Sequence, residues 1–183
     1  MTEPVRKHRL LQNLNRKPWA TVVPDDLWAP VTGALLIFLV GVIGLAAHRP
    51  WIFASLGPTA YLHAENPEHR SSRFYNTVAG HLVALGSGFF AVWVLNAWKA
   101  PDVMATGHLT MARVWTSTIA IGVTILLVLA LRASHQPAGA TTPLVALGTF
   151  QTFNDAIVVM IGVLLIAAIG EPIRRLRIGK PAL

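Results

Sequence analysis

The sequence predicts an all-α integral membrane protein: four full transmembrane helices plus two short broken or re-entrant helical segments, arranged as two structural repeats. Three observations carry that expectation. Hydrophobic residues make up 54% of the 183-residue chain and charged residues only 13%, about half the charged share of a soluble domain. Four long apolar runs, Pro30 to Ala47, Thr77 to Ala97, Val114 to Leu131 and Ala156 to Gly170, approach or reach the roughly 20 residues a spanning helix needs. Finally, a shift of 82 positions lays Gly57-Pro58-Thr59 on Gly139-Ala140-Thr141 and Gly80 on Gly162.

Residues 1–27 form a basic N-terminal segment carrying Arg6, Lys7, Arg9, Arg16 and Lys17. The apolar run that follows starts late and is long for a cleaved signal core, so this segment is expected to be retained. The excess of positive charge places it in the cytoplasm. Arg174, Arg175, Arg177 and Lys180 place the tail 173–183 there too, which requires an even number of crossings. Between them, 28–172 is the transmembrane domain, with repeat one over about 28–98 and repeat two over about 111–172.

Helix by helix, the first span starts near Asp26, a candidate N-cap, and ends about Ala47. A breaker-rich stretch, Ser55 to Thr59, follows, and Ala64 to Ser72 reads as an aqueous loop. The second span covers Asn76 to Ala97, with Gly80, Ala84 and Gly88 forming a small-residue face for close helix packing. Lys99 to Thr110 links the halves. The third span is Ala112 to Leu131, and 132–154 is the second broken segment. Asn154 or Asp155 caps the fourth span, which ends at Glu171-Pro172. If the broken segments are re-entrant, the chain makes four crossings with a parallel repeat. If each crosses as an interrupted helix, it makes six with an inverted repeat.

Several classes are excluded by what the residues do not provide. The chain has no cysteine and a net charge of +7. Its basic residues flank the apolar runs without forming the aromatic-interleaved patch of a nucleic-acid binder. No Gly-x-Ser-x-Gly, His-Glu-x-x-His, Walker or dinucleotide motif is present, so no enzyme and no cofactor are expected. His63, Glu65 and His69 lack a convincing zinc spacing. No carboxylate sits inside an apolar run, which disfavours cation coupling and leaves anions or neutral solutes.

The chemistry is expected at the broken segments. Non-helical backbone survives at membrane depth only where protein buries it or where it lines a wet cavity. Pro58, Pro137 and Pro143 interrupt regular helix, and helix N-terminal amides freed there would carry partial positive charge. Two such ends meeting at the midplane make a site for a small anion. The candidate binding residues are Ser55, Gly57, Thr59, Asn76, His81, His135, Gly139, Thr141 and Thr142. A plainer reading makes the segments tight connections at the membrane surface.

The run His135-Gln136-Pro137-Ala138-Gly139-Ala140 resembles the His-Pro-Pro-Ala-Gly-Ala motif of the HPP family of integral membrane proteins, with Gln136 in place of the first proline. Gly57-Pro58-Thr59-Ala60, Asn76 and Gly80-His81-Leu82 look like the family's Gly-Ala-Ser-Ala-like stretch, its Arg-Asn and its Gly-His-Leu. Tyr75 stands where the family has arginine, so that arginine is not carried over. The resemblance covers roughly residues 28 to 172. It implies a four-helix membrane protein, and some chloroplast and cyanobacterial members are described as nitrite transporters. The expectation is therefore transport of a small monovalent anion, nitrite first, in a bacterial inner membrane; because so few helices offer little lateral surface to enclose a wet site, a homo-oligomer is expected. A channel for a small neutral solute or water is one alternative. A non-transporting scaffold subunit is the other.

Overall fold

The computed structural model describes residues 22–179. The basic residues up to Lys17, and Lys180, lie outside them. Seven α-helices occur among the described residues: α1 (Asp25–Ala46), α2 (Leu56–Glu65), α3 (Phe74–Val94), the single turn α4 (Val103–Thr106), α5 (Met111–Ala130), α6 (Ala138–Ala146) and α7 (Phe153–Arg177). Four of them, α1, α3, α5 and α7, are long and apolar enough to cross a membrane. The protein is an all-α integral membrane protein.

Each long helix buries one stripe and leaves the rest apolar and exposed. In α1 the stripe is Thr32, Leu36, Val40 and Gly44; in α5 it is Arg113, Thr116, Ala120 and Thr124. Residues three and four apart share a helix face, which is why the stripes have that spacing. The opposite faces carry Phe38, Trp93, Leu126 and Leu129, each more than 60% exposed. Apolar surface on that scale fits a lipid solvent and not water.

Close packing at small residues sets how the short helices are held, because helix association in lipid relies on contact and hydrogen bonding more than on the hydrophobic effect. A β-carbon at Gly80 would lie 2.8 Å from His135 Cβ, 3.3 Å from the Ala133 carbonyl oxygen and 3.4 Å from Ala138 Cβ. One at Gly162 would lie 2.8 Å from Phe53, 2.9 Å from the Trp51 carbonyl oxygen and 3.5 Å from Leu56. Further along each helix on the same faces, Gly88 meets Val145 and Gly170 meets His63. The small-residue face of α3 thus packs within the chain, against α6, and α7 packs on α2 in the same manner.

The direction of each segment follows from its contacts. Ala64 lies beside Gly33 and Ile52 beside Gly41, so α2 runs back along α1. At one end of the bundle Arg174 donates to the Pro67 carbonyl at 2.8 Å, and Arg177 donates to the Val23 carbonyl at 2.8 Å. Asn76, near the start of α3, donates to the Arg132 carbonyl at 3.3 Å. The opposite end gathers the 100–103 turn, the start of α5 and the end of α6. There the buried Arg113 donates to the carbonyls of Ala100 (2.6 Å), Pro101 (3.1 Å) and Ala146 (3.0 Å). It caps the C-terminus of α6, where a cation complements the helix dipole.

Several local expectations are corrected. Asp25 and Asp26 both fall inside the first turn of α1, behind Pro24, and the N-cap has no side-chain bond. Thr152 caps α7 in a capping box with Asp155, so neither Asn154 nor Asp155 is itself the N-cap. Helix α7 continues through Pro172 to Arg177, with Glu171 pairing to Arg174 and Arg175 across that turn. The Ala64 to Ser72 piece is no free aqueous loop. Ser71 and Ser72 are buried, and Ser72 donates to the Asn66 carbonyl at 2.6 Å.

Candidate functional site

The two broken segments meet in the interior. Ser55 precedes α2 and Thr59 lies in its first turn; His135 precedes α6 and Thr141 lies in its first turn. His81 enters from α3, which runs between them. All five are buried, with Ser55, Thr59, His81 and Thr141 at 0% exposure.

Their polar atoms form a connected ring. Thr141 donates to Ser55 Oγ at 2.8 Å, and His81 Nδ1 lies 2.7 Å from Thr141 Oγ1. His81 Nε2 is 3.1 Å from Thr59 Oγ1, which is also 3.4 Å from His135 Nε2. Thr59 donates to the Ser55 carbonyl at 2.9 Å, and His135 Nδ1 is 2.7 Å from the Ser71 carbonyl oxygen. The two imidazoles are tilted, with centroids 5.1 Å apart. Buried polar groups in a low-dielectric interior must be paired, and here they pair largely with one another. Helices α3, α5 and α6 contain no carboxylate.

The remaining candidates stand apart from the ring. Asn76 donates to the carbonyls of Arg132 and Ser134, so it anchors the segment leading into α6. Thr142 turns toward α5 and shares a 2.9 Å hydrogen bond with Thr124. Gly57 and Gly139 are helical, and a β-carbon on either would meet nothing within 4 Å. No close backbone approach requires them. Four of the amides expected to be free are engaged: Leu56 donates to the Phe53 carbonyl, and Ala138, Gly139 and Ala140 donate to those of His135, Gln136 and Pro137. The turn entering α6 consumes its first three amides, and the hydrogen bonds that link the ring run between side chains and two backbone carbonyls.

Sequence reasoning missed a second buried pair, His63 Nε2 and Thr77 Oγ1 at 3.0 Å. It also missed Ser71, Thr124 and Arg113. For Thr124 a hydroxyl at a stripe position inside an apolar run was the available signal, and for Arg113 a charge at the edge of the same run; Ser71, in the stretch between two helices, offered none. Beside the ring lies a cleft of about 600 Å³ lined by residues including Pro58, Tyr61, Asn66, His69, Gln136 and Ala140. Pro58, Gln136 and Ala140 are the chain neighbours of Thr59, His135 and Thr141.

A membrane-spanning helical bundle with a buried, carboxylate-free polar ring defines the class. Within it, residues 20–180 match the family model described as HPP, transmembrane region, and the chain belongs to that family. Neither a curated protein nor a solved structure matches it. Family and membrane-length helices together point to membrane transport in general.

Proposed function

We propose that the protein carries a small monovalent anion across the membrane, nitrite being the first candidate because of the family resemblance. The observation behind this reading is the ring itself. Ser55, Thr59 and Thr141 offer hydroxyls, His81 and His135 offer ring nitrogens, and no carboxylate stands among them to repel an anion. In lipid, polar residues away from water are costly, and transporters place them where a solute passes. The ring is sealed in this conformation, so uptake requires α2 and α6 to part along the neighbouring cleft. An anion then replaces hydrogen bonds that the ring makes with itself. No enzymatic step is part of this reading.

The same reading places the anion at a pseudo-twofold centre. The contacts of Gly80 (Ala133, His135, Ala138) and of Gly162 (Trp51, Phe53, Leu56) differ throughout by 82 positions, as do Val145 at Gly88 and His63 at Gly170. Each half thus lends its last long helix to the other half's broken segment. With α2 and α6 each completing a passage, the chain makes six crossings in two inverted halves. Both termini then lie on one side, which positive-inside charge makes the cytoplasm of a bacterial inner membrane. Assembly as a homo-oligomer belongs to the same proposal.

Uptake of nitrite by purified protein in liposomes, measured above protein-free vesicles, tests the reading. Saturable uptake that Thr141→Val abolishes and Thr141→Ser retains is the expected result. Flux of neutral solutes with no anion preference would replace it with the channel reading. Absence of any flux would favour the scaffold.

A further inference from the structure

The ring holds fewer protons than its acceptors require. His135 Nδ1 faces the Ser71 carbonyl oxygen at 2.7 Å, and a carbonyl only accepts. Neutral His135 therefore carries its proton on Nδ1 and leaves Nε2 a bare lone pair. Thr141 gives its hydroxyl proton to Ser55 Oγ, so His81 Nδ1 must donate to Thr141 Oγ1. Neutral His81 is then also bare at Nε2. Both bare nitrogens face one atom, Thr59 Oγ1, at 3.1 and 3.4 Å. That hydroxyl has a single proton, which it gives to the Ser55 carbonyl. Turning it to one imidazole still leaves the other unpaired.

One added proton resolves the shortage. A protonated imidazole donates through Nε2 to Thr59 Oγ1, and the Thr59 proton turns to the second imidazole. The Ser55 carbonyl keeps the Thr59 amide as donor at 3.3 Å. Each ring nitrogen then has a partner, and the site gains the positive charge that an anion needs.

We propose that His81 and His135, bridged by Thr59, form one proton-binding site, and that its proton crosses the membrane with the anion. This rests on the transport reading above. The balance is simple: one proton and one monovalent anion enter the ring from one side and leave together on the other, with no redox change and no net charge moved. The surroundings do not supply that charge otherwise. His63 on α2 bonds Thr77 through Nε2 alone, its Nδ1 being buried without a hydrogen-bond partner, and at the end of α7 Glu171 is already paired with Arg174 and Arg175. Helix α6 has no ionisable residue; on α5 the only one is Arg113, at the far end.

Two measurements decide it. Nitrogen-15 NMR of histidine-labelled protein in nanodiscs, titrated toward acid, should show the pair taking up a single proton at Nε2. Thr59→Val should move that uptake to lower pH, because the imidazolium loses its acceptor. Two independent titrations indifferent to Thr59→Val, or imidazoles neutral until the protein unfolds, would overturn the site. In liposomes clamped at zero potential, an inward proton gradient should accelerate nitrite uptake several-fold above protein-free vesicles. His81→Gln and His135→Gln should each lose that acceleration. Saturable uptake equal with and without the gradient would overturn the coupling yet leave anion transport standing. No uptake under either condition would overturn the coupling and the transport reading together, while the NMR titration still judges the proton site.

Discussion

His81 Nδ1 lies 2.7 Å from Thr141 Oγ1, joining a residue of the first half to one of the second across 60 positions of sequence. Both side chains are fully buried, so neither can turn to water if the other is removed. Thr141→Val orphans the His81 donor and removes the proton given to Ser55. An unsatisfied buried group costs about 1–3 kcal/mol, and thermal unfolding in mild detergent should show a loss of that order. Thr141→Ser keeps both bonds and should unfold near the wild-type temperature. Equal stability of the valine and serine variants would mean that the bond contributes nothing.

Gly80 and Gly86 lie on one helix with opposite surroundings. A methyl at Gly80 meets His135 Cβ at 2.8 Å, whereas nothing lies within 4 Å of one at Gly86. Gly80→Ala should therefore destabilise by about 1–3 kcal/mol through overpacking. Gly86→Ala should be neutral or stabilise by up to about 1 kcal/mol through helix propensity. Denaturation of the two variants side by side is the check, and the same sign for both would contradict the packing described.

Arg113 holds three carbonyls at 1% exposure, among them that of Ala146 at the end of α6. Arg113→Met leaves those oxygens without its donors, each at a cost of about 1–3 kcal/mol where no water replaces it. Arg175→Met, whose side chain is 38% exposed, should cost less than 1 kcal/mol. Folded yield and unfolding temperature should rank the two variants in that order.

The chain has no cysteine of its own, so single introduced cysteines can report its topology directly. With six crossings, Glu68→Cys shares a side with Gly179→Cys, and Asp102→Cys lies opposite. With four crossings and re-entrant segments, Asp102→Cys shares a side with Gly179→Cys and Glu68→Cys lies opposite. Labelling by an impermeant maleimide in intact cells and in inverted vesicles separates the two patterns.

The sequence alone determined the solvent and the elements. Three apolar runs of membrane length place α1, α3 and α5 to within about five residues, because hydrophobic thickness fixes helix length; the shorter fourth marks the start of α7 but not its end at Arg177. Of the prolines expected to interrupt helix, Pro137 stands just before α6, whereas Pro58 lies in the first turn of α2 and Pro143 inside α6; the residue types of the ring, Ser55, Thr59, His81, His135 and Thr141, are legible as polar groups in an apolar context. Tertiary structure decided which of those groups touch. Gly57 and Gly139 stand at the broken segments in sequence, yet they meet nothing; Ser71 and Thr77, read as loop and helix start, are buried partners of His135 and His63. Local pattern fixes which face of a helix is polar. Only the packing of Gly80 on the start of α6, and of Gly162 on the start of α2, sets the faces opposite one another at hydrogen-bond distance.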